Sequence, residues 1–69
     1  MPRYNTNLTE REKKVARLWF KGLSKEQIAE EVYLSPETIN SHIRRIYAKL
    51  DVHDKMEFAR KMLDKHLVE

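Results

Sequence analysis

The chain has 69 residues, enough for one small domain, and it contains no cysteine, which excludes disulfides and thiolate metal sites. No apolar run approaches the roughly 20 residues that a membrane-spanning helix needs. We therefore expect no membrane segment, no secretory signal and a cytoplasmic location. A net charge of +3 suits a polyanionic partner, and the single glycine and two prolines favour a compact helical protein over β-hairpins.

The first predicted helix follows a short arm. Residues 1–7 have no hydrophobic periodicity, so we expect a flexible arm or the remnant of a linker, with the folded domain over residues 8–69. Thr9 and Glu12 have the spacing of a capping box, in which each side chain accepts a hydrogen bond from the other residue's backbone N–H. The helix that begins there is expected to end at Gly22, in the left-handed conformation.

A second, shorter helix follows at once. Ser24 and Gln27 form another predicted capping box. The expected buried residues of this helix are Ile28, Ala29 and Val32. A tight connection then leads to Ser35, which starts the next helix. A short helix, a turn of about three or four residues and a second capped helix are the pattern of a helix-turn-helix.

The third predicted helix, over residues 36–50, has the strongest start signals in the chain. Ser35 is a suitable N-cap, and Pro36 stands at the first helical position, where its missing N–H costs nothing. An apolar stripe recurs at helical spacing and comprises Ile39, Ile43, Ile46, Tyr47 and Leu50. The opposite face carries Glu37, Asn40, Ser41, Arg44 and Ala48.

That polar face is unlike an ordinary solvated helix surface and predicts a DNA-recognition helix. Asn and Arg side chains match the major-groove edges of adenine and guanine. A helix of 15 residues is about 22 Å long, and only its first two turns fit deep into a groove about 12 Å wide. We therefore expect Asn40, Ser41 and Arg44 to meet bases, with Glu37 as a fourth reader. The simpler interpretation of Arg44 is a solvated surface arginine.

Other residues would position such a domain on phosphates without selecting a sequence. Thr38, Arg45 and Lys49 flank the polar face, and Lys25 lies at the start of the second helix. The alternative for the two lysines is plain solvation, and the alternative for Thr38 is a local capping bond. His42 lies between the buried and polar faces, and we expect it to be structural.

The last helix closes the domain. Asp51 is expected to end the third helix in the left-handed conformation, and Asp54 is expected to cap the fourth. This helix has more apolar surface than four short helices need to bury. Met62, Leu63 and Leu67 therefore predict a two-fold dimer contact that places two recognition helices about 34 Å apart. A fraying C-terminal tail is an equally good explanation.

Taken together, these residues resemble the LuxR-type (LuxR/FixJ) helix-turn-helix domain. The resemblance runs from about Leu8 to Met62 and is carried by Leu8, Thr9, Arg11, Glu12, Val15, Gly22, Leu23, Ser24, Lys25, Ile28, Ala29, Leu34, Ser35, Thr38, Ile39, Ser41, His42, Ile43, Ile46, Lys49, Leu50 and Val52. Two positions depart from the family pattern: Asp51 stands where glycine is usual, and Lys55 where arginine is frequent.

The resemblance implies an all-α, four-helix domain without a wing, whose third helix recognises promoter DNA. Family members often bind as dimers on inverted repeats, and the positions matching Asn40, Ser41 and Arg44 face base edges. Such domains are bacterial transcriptional regulators or the output domains of larger ones, such as response regulators, and some stand alone. The implied partners are double-stranded promoter DNA, a second copy of the chain and RNA polymerase.

Two other classes of protein compete with this interpretation. Region 4 of a sigma factor shares the early Arg-Glu helix and the helix-turn-helix, but usually stops after the recognition helix. A helix-turn-helix module that docks an acidic protein on its basic face is the second rival. We find no nucleophile–base pair, phosphate loop or metal cluster, so we expect no enzyme, no cofactor and no small-molecule ligand.

Overall fold

The computed structural model describes residues 8–64, which form four α-helices. In chain order these are α1 (Glu10–Phe20), α2 (Lys25–Val32), α3 (Pro36–Leu50) and α4 (Lys55–Asp64). No strand occurs within residues 8–64, and the predicted all-α, four-helix class is confirmed. The predicted arm over residues 1–7 and the predicted dimer residue Leu67 lie outside the described residues.

Capping boxes start the first two helices, as predicted. The Thr9 hydroxyl accepts from the Glu12 N–H, and the Glu12 carboxylate accepts from the Thr9 N–H, both at 3.1 Å. The same reciprocal pair joins Ser24 and Gln27, at 2.8 and 3.1 Å. Each box satisfies backbone donors that a helix start otherwise leaves unpaired, so these short helices begin at defined residues.

α4 begins with a variant of the capping box. The Asp54 carboxylate accepts from the Glu57 N–H at 2.8 Å, which confirms Asp54 as the cap. The Glu57 carboxylate reaches back to the N–H of His53, at 2.7 Å, one residue earlier than in the other two boxes. The reciprocal bond therefore ties the α3–α4 connection to the first turn of α4.

Three residues in the connections have positive φ. Gly22 has φ of 100° and Asp51 has φ of 59°, and both were expected to be left-handed. Tyr33, which ends α2 with φ of 60°, was not expected to be, because an aromatic residue rarely adopts this conformation. The Tyr33 side chain is 92% exposed, so no burial of its ring offsets the backbone strain.

The apolar stripe of α3 is the centre of the core. Its predicted members Ile39, Ile43, Ile46 and Leu50 are all buried, and α3 packs against α1, α2 and α4. Tyr47 is half-buried and stacks on Phe58 of α4, with ring centroids 5.4 Å apart. None of the described helices is long and apolar enough to cross a bilayer.

The structure corrects the prediction that Met62 forms a dimer contact. Met62 has no exposed surface, because α4 turns this side chain into the core beside Phe58. Leu63, the next residue, is 57% exposed. Successive helical residues point about 100° apart, so only one of the two could join the core while the other faces outward.

Candidate nucleic-acid interface

The predicted base-reading residues share one accessible face of α3. Glu37, Ser41 and Arg44 are exposed and Asn40 is half-buried, while the opposite stripe of the same helix is sealed in the core. The Ser35 hydroxyl accepts from the Thr38 N–H at 3.2 Å and fixes the start of the helix. The core therefore holds α3 rigidly, with its polar N-terminal turns facing outward.

Asn40 has a partner on the neighbouring helix. The Lys25 ammonium donates to the Asn40 Oδ1 atom at 2.7 Å, across the gap between α2 and α3. Both residues are half-buried. Two residues predicted for different roles, one for bases and one for phosphates, therefore form a single unit at the edge of the polar face.

The Trp19 ring packs next to the Lys25–Asn40 pair. The Lys25 Nζ atom lies 5.9 Å from the centroid of the Trp19 ring, and the Lys55 Nζ atom lies 3.9 Å from it. The indole N–H donates to the Tyr47 hydroxyl at 3.1 Å, which fixes the ring against α3. Neither of these two lysine contacts was predicted from the sequence.

Glu12 has a second role that the sequence did not reveal. Glu12 is 2% exposed, and its carboxylate accepts from the Lys49 ammonium at 2.8 Å and lies 3.8 Å from the Arg45 guanidinium. Burial by itself raises the pKa of Glu12. The Lys49 hydrogen bond, the Thr9 N–H and the charges of Lys49 and Arg45 together outweigh burial, so the pKa lies below its ordinary value of 4.5.

The Glu12 ion pairs affect how accessible the predicted phosphate-contacting residues are. The side chain of Lys49 is 28% exposed and that of Arg45 is 57% exposed, so Arg45 is the more accessible to a phosphate. The Thr38 hydroxyl lies 2.9 Å from the Ser35 hydroxyl, which is the local capping bond considered as its alternative. Phosphate contacts by these three residues stay predictions.

His42 is half-buried between the two faces of α3. Its Nδ1 atom is buried and makes no hydrogen bond within residues 8–64, so this atom does not supply a hydrogen bond for the expected structural role of His42. Within the same stretch of chain, no group of three or more His, Asp and Glu side chains could hold a metal ion.

A short helix and a longer one joined by a tight turn, with a polar N-terminal face on the second, define a helix-turn-helix domain. The chain belongs to the luxR family of bacterial regulatory proteins, whose family profile matches residues 6–62. Its function class is therefore DNA-binding transcription regulation. The family predicted from the sequence is confirmed.

Several curated proteins are similar to this chain. It is 40% identical to the transcriptional regulatory protein UhpA of Escherichia coli K12 over 57 residues, which are 83% of this chain and 29% of UhpA. It is 44% identical over 50 residues, 72% of its length, to a nitrate/nitrite response regulator protein homolog of Haemophilus influenzae and to the HTH-type transcriptional regulator MalT of Vibrio campbellii. Those 50 residues are 24% and 6% of the two relatives. The chain thus spans less than a third of each relative's length, and no solved structure matches it significantly.

Proposed function

We propose that the chain binds double-stranded DNA sequence-specifically by inserting α3 into the major groove, as a bacterial transcriptional regulator or the output domain of one. The observation that carries this proposal is the division of α3 into two faces. Ile39, Ile43 and Ile46 are sealed in the core, while Glu37, Ser41 and Arg44 are exposed on the first turns. Because the buried side of α3 is packed in the core, its exposed side can enter a groove without rearranging the fold.

Each exposed side chain on this face has a chemistry that suits base edges. The Arg44 guanidinium can donate two hydrogen bonds to the O6 and N7 atoms of guanine, and the Glu37 carboxylate can accept from the amino group of cytosine. The Ser41 hydroxyl can donate or accept, so it contributes little selectivity alone. Arg44 is therefore the residue we expect to discriminate most strongly between sequences.

The phosphate contacts would come from the edges of the same face. Arg45 is the most accessible of the predicted cations, and Lys49 lies one turn further along α3. Lys25 and Thr38 lie near the starts of α2 and α3, where backbone N–H groups and the positive end of each helix also attract phosphate. These contacts would set affinity and orientation, whereas the base contacts would set sequence preference.

Selection of binding sites from a random duplex pool tests the proposal. The 69-residue chain should enrich a defined motif, and binding should weaken steeply with salt. Arg44→Ala should lose preference at one guanine of that motif by about 5- to 150-fold, corresponding to 1–3 kcal/mol. Lys14→Ala removes one positive charge from an exposed position of α1, on another helix from the dimer contact proposed below, and is the control.

If Arg44→Ala and Lys14→Ala have equal effects, α3 does not read bases. If no duplex is enriched at all, the alternative of a protein-binding helix-turn-helix module becomes the better explanation. A sigma-factor region 4 is disfavoured by the capped α4 and by the family match.

We further propose that the chain dimerises through the outer face of α4. Met56 is 74% exposed and Leu63 is 57% exposed, and residues seven apart lie on one side of a helix. A two-fold contact there would place two copies of α3 on half-sites about 34 Å apart. Leu63→Glu should leave the fold intact and abolish the dimer on a palindromic duplex in sedimentation, while a strict wild-type monomer on that duplex would refute the dimer.

Four further assignments go with this proposal. We assign the chain to the cytoplasm, where promoter DNA is, with no catalytic activity and no small-molecule ligand. If the chain activates transcription, RNA polymerase is its second protein partner, since an activator bound at a promoter acts by contacting polymerase. Transcription in vitro from a promoter containing the selected motif, with and without the chain, tests that contact and shows whether regulation is up or down.

A further inference from the structure

We propose that Lys25 determines which base Asn40 selects, by holding the amide of Asn40 so that its nitrogen, not its oxygen, faces the groove. The pair then presents only donors and selects guanine over adenine. This inference rests on the proposed function, and it changes the expected roles of both residues. Asn40 would not bridge adenine, and Lys25 would be a positioning residue in addition to any phosphate contact.

The orientation of the Asn40 amide follows from chemistry as well as geometry. An ammonium has three donors and no acceptor, so only the amide oxygen can face it. The 2.7 Å contact from Lys25 Nζ to Asn40 Oδ1 is short, as expected for a charge-assisted hydrogen bond. The amide nitrogen of Asn40 must therefore point away from Lys25.

Lys25 is itself held in place before any ligand arrives. It is the first residue of α2 and lies between the two members of the Ser24–Gln27 capping box, so its backbone is fixed. Its ammonium lies 5.9 Å from the centroid of the Trp19 ring, and Trp19 is anchored by its bond to Tyr47. Lys25 is half-buried, and its side chain is therefore more ordered than that of a surface lysine.

The donor arrangement suits one base edge better than the other. Adenine offers an N7 acceptor and an N6 donor, so an asparagine that bridges adenine needs its oxygen available. An oxygen already paired with an ammonium is a weaker acceptor, and the positive charge of Lys25 repels the adenine amino group. Guanine offers two acceptors, N7 and O6, which the Asn40 nitrogen and the remaining Lys25 hydrogens can both approach.

If Lys25 only contacted phosphate, replacing it would have a different effect on DNA binding. Removing a phosphate contact weakens binding to all sequences alike and lowers the slope of log affinity against log salt by about 0.9. Removing a positioning contact changes the preferred base at one position of the motif. The two roles are therefore separable by comparing base preferences and salt slopes of the same variant.

The experiment is motif selection with four versions of the 69-residue chain: wild type, Asn40→Ala, Lys25→Met and Lys14→Ala. Asn40→Ala identifies the position of the motif that Asn40 reads, because preference is lost there. Lys25→Met keeps an unbranched stem over Trp19 but has no ammonium. Lys14→Ala removes one charge from an exposed position of α1 and is the control.

We expect guanine at the Asn40 position with wild type and with Lys14→Ala. Lys25→Met should shift the guanine-to-adenine ratio there by about 5- to 150-fold toward adenine and leave the other positions unchanged. Adenine at this position with wild type overturns the inference, as does a Lys25→Met variant that binds all sequences equally more weakly. Failure of wild type to enrich any motif is a distinct result, which refutes the proposed function itself.

Loss of structure is checked with the same variants. Trp19 is the only tryptophan, so its fluorescence reports directly on the surroundings of Lys25. Lys25→Met should change Trp19 emission while the helical circular dichroism and the thermal midpoint stay close to those of wild type. An unfolded Lys25→Met variant would be replaced by Lys25→Glu. Its carboxylate only accepts hydrogen bonds, so it must face the Asn40 nitrogen, which leaves the Asn40 oxygen toward the groove and should favour adenine by the same argument.

Discussion

Replacing Glu12 with glutamine should have opposite effects on stability and on DNA binding. The substitution keeps an amide oxygen that can accept from the Thr9 N–H, but it removes the negative charge that faces Lys49 and Arg45. A hydrogen bond to a charged group contributes about 1.5–3 kcal/mol. Because the Lys49 side chain is 28% exposed, solvent offsets part of its loss, and we expect Glu12→Gln to cost about 1–2 kcal/mol.

DNA affinity should rise in the same variant. In wild type the Glu12 carboxylate neutralises part of the charge that Lys49 and Arg45 offer to phosphates. Without it, the slope of log affinity against log salt should steepen by up to about 1.8, or about 0.9 for each phosphate contact strengthened. Glu10→Gln is the control, since Glu10 is 91% exposed on the same helix and pairs only weakly with Lys13, at 3.6 Å.

Thermal unfolding and a salt series of fluorescence anisotropy measure both effects. For a domain of this size each kcal/mol lowers the unfolding midpoint by about 4–8 °C. The pKa of Glu12 is lowered by folding, so its contribution is fully present above pH 4.5 and is lost as the pH falls through the folded-state pKa. The stability gap to Glu12→Gln should therefore hold at neutral pH and close in acid. Equal midpoints at pH 7, or a gap independent of pH, would refute the ion-pair account.

Four other substitutions test the fold. Tyr33→Gly and Asp51→Gly should each raise the free energy of unfolding by up to about 1 kcal/mol, because both residues have positive φ. Thermal denaturation measures the change, and a loss of stability would show that these side chains are needed. Met62→Ala should cost about 2–5 kcal/mol in urea unfolding, since its side chain is fully buried. Leu63→Ala should cost under about 0.5 kcal/mol in the same assay, and equal losses at these two positions would contradict the orientation of α4.

The helices were predictable because their signals are local. The capping boxes at Thr9 and Ser24 and the Ser35–Pro36 start each lie within four residues, and the 3.6-residue periodicity marks the buried stripe of α3. The bounds of α3 agree with the prediction for the same reason. Tyr33 is the exception among the turns, since it has φ of 60° although an aromatic residue rarely adopts a positive φ.

The side-chain contacts around the polar face of α3 were not predictable, because they join residues that are far apart in the sequence. Glu12 and Lys49 are 37 residues apart, and Lys25 and Asn40 are 15 apart. A local role in the capping box already accounted for Glu12, so nothing in its neighbourhood signalled a second partner. Which cation faces which carboxylate depends on how α1 and α2 cross α3, and helical periodicity does not determine that crossing.

Site-directed alkylation tests the central claim, that the polar side of α3 enters the major groove. The chain has no cysteine, so one can be introduced at Ser41 of α3 or, as the control, at Arg60 of α4. A bromoacetyl group attached to that thiol alkylates the N7 atom of nearby guanine, which lies in the major groove. We predict that the DNA strand is cleaved within the selected motif when the bromoacetyl group is at position 41, and that it is not cleaved when the group is at position 60. Cleavage from position 60 alone would contradict the account.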